Sequence, residues 1–83
     1  MNTELLGQQV SFFIVGMQNG ETFPVTMYGF TASRAGDIQR AKWFNDQATA
    51  LQMVQLLNMF SQLNGDTTTF EGRQQLIEYT LID

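Results

Sequence analysis

The sequence has no cysteine, no histidine, one proline, and only four basic residues against eight acidic ones. Without cysteine there is no disulfide to staple a small domain and no thiolate to hold a metal; without histidine, zinc would have to rely on carboxylates alone. The same two absences remove the commonest general base and the strongest side-chain nucleophile. Ser11, Ser33 and Ser61 have no activating partner nearby. The carboxylates are scattered to the ends of elements, with no pair at helical or strand spacing. Asp46 reads as a helix cap, not as an acid. The stretch from Asp66 to Glu71 lacks the alternating oxygen ligands of a calcium loop, and no glycine pattern cradles a phosphate. These exclusions point to a non-enzymatic chain with no metal and no cofactor.

Charge is also scarce. Charged residues make up 14% of the chain and the net charge is −4, which gives no reason to expect a polyanion or membrane-surface partner. The N-terminal MNTELLGQQ is acidic, and the apolar run after it is short and strand-like. It is expected to be neither a signal peptide nor a membrane span, leaving a cytoplasmic location as the default.

Apolar residues are abundant, at 43% of 83 positions. That length suits one domain, spanning 1–83, with a core too modest for generous stability. With metals and disulfides removed, association with another chain is the most available extra support.

The pattern of those residues defines a fold. Asn19-Gly20 is the strongest hairpin signal, because a type I′ turn needs positive φ at both central positions. A two-residue turn there sets Gln18 opposite Glu21, Gly16 opposite Phe23, Ile14 opposite Val25 and Phe12 opposite Met27. This face is apolar throughout. The other face carries Ser11, Phe13, Val15 and Met17 against Thr22, Pro24, Thr26 and Tyr28, with Phe30 just beyond, and is greasier than a solvated face. Pro24 falls at a non-hydrogen-bonded pair, so the second strand is an edge there or its outer neighbour ends before it.

Residues 31–37 read as a loop. IQRAKWF, 38–44, alternates as a short third strand. A helix capped by Asn45 or Asp46 runs to about Asn64, with Gly65 as its left-handed terminator. Ala50, Met53, Val54, Leu56, Leu57, Phe60 and Leu63 fill about half its circumference, and Leu51 and Met59 lie outside that arc. DTTTFEGR is a connection or a strand start. QQLIEYTLI, 74–82, reads as a final strand with Ile77, Tyr79 and Leu81 inward. The expected fold is α+β: an antiparallel sheet of about four strands in the order β-β-β-α-β, with one long helix packed on one face.

At KWFNDQATALQMV, where strand passes into helix, the chain resembles short uncharacterised domains of lactic-acid bacteria and their phages. In those domains an aromatic, a polar cap and an alanine-led helix follow a meander of strands. The resemblance implies a bacterial or phage source, no activity and no binding residues.

Excess apolar surface is the feature that bears on function. The loops and residues 1–9, including Leu5 and Leu6, can cover the second hairpin face; a second copy of the chain, or another protein, can cover it instead. The reading adopted is a small interaction module that self-associates as a homodimer. Phe13, Val15, Tyr28 and Phe30 form one candidate surface, and Leu56, Met59 and Leu63 on the helix flank form another. Phe13→Asp is then expected to give a folded monomer. One alternative is a nucleic-acid binder using Arg34, Arg40 and Lys42, in the stretch that holds the sole tryptophan, although Arg40 and Lys42 fall on the strand side opposite Trp43. A second is an apolar-ligand binder lined by Met27, Met53 and Phe60.

Overall fold

The structure, a computed structural model, describes residues 3–29 and 31–82. Its strands are β1 (Thr3–Gln18), β2 (Glu21–Tyr28), β3 (Thr31–Arg34), β4 (Trp43–Phe44) and β5 (Thr69–Ile82), with a single α-helix, α1 (Gln47–Leu63), before the last strand. The fold is α+β, an antiparallel sheet with the helix on one face. Phe30 lies outside the described residues.

The hairpin forms as its turn dictates. Asn19 and Gly20 have φ of 54° and 81°, and the register is Gln18↔Glu21, Met17↔Thr22, Gly16↔Phe23 and Val15↔Pro24. β1 and β2 part company beyond Pro24. β2 continues by pairing β3 from Val25↔Arg34 to Tyr28↔Thr31, across a connection that begins with Gly29 at φ 65°. β3 therefore stops one residue short of Pro24, whose carbonyl accepts a hydrogen bond from the Ala35 N–H at 2.9 Å.

Residues 31–44 differ from the expected loop and third strand. TASR forms β3, and IQR forms a 3₁₀ turn in place of strand. The cause is Asp37, whose carboxylate accepts from the backbone N–H groups of Gln39 and Arg40 and closes the turn that alternation alone would leave extended. Of this stretch Trp43 and Phe44 pair as strand, with Phe13 and Phe12 of β1. Because β5 pairs β1 throughout this region, β2 and β4 must share the opposite edge of β1, end to end. The chain thus passes from the outer edge of β2 to its inner side, where the Lys42 N–H reaches the Val25 carbonyl at 3.0 Å. The helix occupies the Val25 face, so this crossing runs over the other face, which carries Pro24, Val15 and Phe13.

The helix obeys its end signals. Asp46 accepts from the Thr49 N–H at 3.0 Å and the Thr49 hydroxyl at 2.8 Å. Both bonds, the hydroxyl's first, hold its carboxyl below the usual carboxylate range. At the other end Gly65 has φ 70°, with Gly65 N–H to Gln62 C=O and Asp66 N–H to Ser61 C=O, the pair of bonds that defines a Schellman stop. Ser61, buried in the last turn, donates to the Thr68 carbonyl at 2.6 Å and so fixes where β5 begins.

The core lies between helix and sheet. Ile14, Val25, Phe44, Ala50 and Leu57 are buried, with Phe12, Phe23, Met27, Met53, Val54 and Phe70 packed around them. Phe12, Ile14, Val25 and Met27 lie on the core side as expected, but the expected pairing of Phe12 with Met27 does not form: the β1–β2 ladder ends at Pro24, Phe12 pairs with Phe44 and Met27 with Ala32.

β5 departs from expectation along its outer half. Ile77 and Tyr79 do not point into a core: they are 37% and 50% exposed, and Leu76 on the opposite face is 49% exposed. The helix reaches β5 only as far as the groove formed by Gln47, Ala50 and Leu51 against Gly72, Arg73 and Gln74. Beyond it, residues 3–11 of β1 and 75–82 of β5 run on as a two-stranded ribbon. Residues 3–9 are part of that ribbon, so they do not fold back over the hairpin. The molecule accordingly measures 55 × 24 × 18 Å with a radius of gyration of 15.8 Å, against about 12 Å for a compact chain of this length.

Candidate functional site

The second hairpin face is largely closed by the chain itself. Val15 is only 6% exposed, and Ala35 and Ala41, at the two ends of the crossing segment, are buried. Phe13 is half-buried with its ring centroid 4.9 Å from that of Trp43. The Trp43 indole N–H donates to the Ile38 carbonyl at 3.3 Å, tying the 3₁₀ turn to the sheet. Of the candidate surface on this face, Tyr28 is 73% exposed, Phe13 is partly presented, and Val15 is not. Phe13→Asp would strike a packed aromatic pair.

On the helix flank Met59 and Leu63 are exposed, Leu63 by 75%, and Leu56 is half-buried. Gln52, Gln55, Leu56 and Met59 line a shallow groove there. The flank is apolar and points away from the sheet.

The three basic residues of the 34–42 stretch each have a neighbour. Arg34 pairs with Glu21 at 2.9 Å and its guanidinium lies 4.1 Å from the Phe23 ring centroid. Arg40 is 4.0 Å from Asp37, and Lys42 sits 6.0 Å over the Phe44 ring. Met27 and Met53 pack on the core, while Phe60 borders an open cavity with Thr31, Ala32, Ser61, Asp66 and Phe70. Among the described residues no cluster of acidic side chains has metal-holding geometry, and no helix is long and apolar enough to cross a membrane.

The ribbon adds a surface that pattern reading misses. Antiparallel partners alternate between pairs that exchange hydrogen bonds and pairs that do not. The two-residue turn makes Gln18 and Glu21 an exchanging pair, so in this part of β1 even-numbered residues direct their backbone groups toward β2 and odd-numbered ones toward β5. Through the β1–β5 register, odd-numbered residues of β5 bond to β1, and Phe70, Gly72, Gln74, Leu76, Glu78 and Thr80 direct their N–H and C=O groups outward.

Phe70 bears this out. Its N–H donates to the Asn58 carboxamide oxygen at 2.8 Å, and its carbonyl accepts from the Asn58 amide nitrogen at 3.1 Å. A helix side chain thus takes the place of a neighbouring strand for one residue. Past this plug no strand other than β1 pairs with β5 among the described residues. The edge from Gly72 to Thr80 presents its backbone groups unpaired.

That edge carries apolar side chains on both of its faces, Leu76 on one and Ile77 and Tyr79 on the other. Tyr79 is steadied by a hydrogen bond from its hydroxyl to the Gln9 side chain at 3.1 Å. The hairpin logic that orients β2 tells which backbone groups of β1 face away from β2, but neither the pairing of β5 with β1 nor its register. It also lacks the length of β1, since the expected strand begins at Val10 and not at Thr3. Compared with protein-family models, with curated proteins and with solved structures, the chain matches none of them.

Proposed function

We propose that this protein is a non-enzymatic interaction module that assembles with further copies of itself, and that the ribbon of residues 3–11 and 75–82 is where it does so. The observation that carries this reading is a two-stranded ribbon standing clear of the helix with Leu76, Ile77 and Tyr79 exposed. An isolated pair of strands is marginal in water. A further chain against it supplies what the helix supplies to the rest of the sheet.

Total accessible surface supports the same reading. It is 6003 Å², against about 5000 Å² for a monomer of this mass. The exposed Met59 and Leu63 of the helix flank form a second apolar area, available to a larger assembly.

The test is sedimentation or light scattering over a wide concentration range. A mass that rises to that of a dimer supports the proposal; a strictly monomeric chain at millimolar concentration contradicts it. Ile77→Asp is expected to favour the monomer while leaving the core between helix and sheet intact.

A further inference from the structure

Resting on that self-association, we infer that the β5 edge is occupied by the β5 edge of a second copy, antiparallel, about a two-fold axis at Leu76.

The fold's other edges are poor acceptors for a partner strand. β3 is four residues long and β4 two, and short edges are a common guard against pairing. The free edge of β1 starts beyond its pairing with β4 and is broken by the register shift between Leu5 and Gly7, and a bulge turns an edge away from regular pairing. β5 alone offers an uninterrupted run, and Asn58 sets where it begins.

Register then follows from parity. Outward groups belong to even-numbered residues, so an antiparallel self-pairing must set even opposite even. The pairing that uses the whole run from Gly72 to Thr80 places Gly72 opposite Thr80, Gln74 opposite Glu78 and Leu76 opposite itself. In this arrangement no like charges meet: Glu78 faces a glutamine, and Arg73 faces Tyr79, a cation over an aromatic ring. Leu76 meets its own copy at the axis, flanked on β1 by Val10, its cross-strand partner. Leu51, 47% exposed and beside Gly72, gains the second copy's Thr80 as a neighbour. Two ribbons that are marginal alone become one four-stranded sheet, joining the two bodies.

The absence of native cysteine makes the test clean. Leu76→Cys places two thiols across an exchanging pair, where Cα atoms lie about 5.5 Å apart, within disulfide reach. Under mild oxidation this variant is expected to form a disulfide-linked dimer faster than Gln75→Cys, Ile77→Cys or Met59→Cys, the first two reporting displaced axes and the last the helix flank. Gln74→Pro removes an outward N–H but none used by β1, so it is expected to abolish the dimer with circular dichroism unchanged. If Gln74→Pro fails to fold, the cross-linking order decides alone. Association of the unmodified protein with preferred cross-linking at Met59→Cys, or with no preference for Leu76→Cys, overturns this inference and leaves self-association standing. A chain that is monomeric throughout overturns both.

Discussion

Single side chains decide how the sheet is bounded. Asn58 satisfies both outward groups of Phe70 at once, a role that an amide, carrying donor and acceptor together, fills and a carboxylate does not. Asn58→Ala leaves a partly buried N–H and C=O unpaired and is expected to cost about 1–3 kcal/mol. Asn58→Asp should be destabilising as well, because it sets a second acceptor against the Phe70 carbonyl. Chemical denaturation of both variants checks this. Gly16 is the other sensitive position. A Cβ there would stand 2.5 Å from the Phe23 ring, and that ring is stacked with the Arg34 guanidinium. Gly16→Ala is expected to lower stability by about 1–3 kcal/mol, as overpacking does, with little change in the slope of the denaturation curve. A neutral outcome would show that the ring moves aside freely.

Elements were legible in the sequence wherever a local chemical signal fixed them. Asn19-Gly20 set the hairpin and its register as far as Pro24, Pro24 marked where the outer neighbour had to end, and Asp46 and Gly65 bounded the helix. Legibility failed where a local bond overrode a pattern. The alternation of IQRAKWF reads as strand, but the Asp37 carboxylate captures two backbone N–H groups and winds IQR into a 3₁₀ turn. It failed again where the answer depends on a distant element. Alternation along QQLIEYTLI fits a strand with one face buried, yet nothing in the strand reveals that the helix extends no farther than Gln74. The covering of Val15 by the 35–43 crossing could not be read before that turn was known.

The polar bonds at the two ends of α1 carry a pH signature. Asp46 is held low by Thr49, and Asp66 is held low by the Thr68 N–H and then its hydroxyl. Carboxylates whose folded pKa is depressed stabilise the fold above their unfolded pKa, and that contribution is lost as pH falls through the folded value. Thermal stability is therefore expected to decline below about pH 4. Asp46→Ala should flatten that decline, as measured by melting temperature against pH. An unchanged acid limb would remove the cap from the account.

At the scale of the whole molecule, the dominant fact is a mismatch between chain and shape. A chain with no disulfide, little charge and abundant apolar side chains gains most by compactness. The described residues instead form a compact body with a long ribbon attached. Sheet, helix and crossing segment satisfy one another, and the ribbon is left with open backbone groups from Gly72 to Thr80 and apolar side chains on both faces. In the proposed dimer a second copy would resolve the mismatch by pairing the open edge with itself. Residue-resolved amide hydrogen exchange along β5 tests this most directly. The account predicts that the N–H groups of Glu71 and Arg73, bonded to β1 where the helix packs, are protected at every concentration. Those of Gln74, Leu76 and Glu78 should become protected only as the protein is concentrated and the dimer forms. Free exchange at Gln74, Leu76 and Glu78 at all concentrations would contradict it.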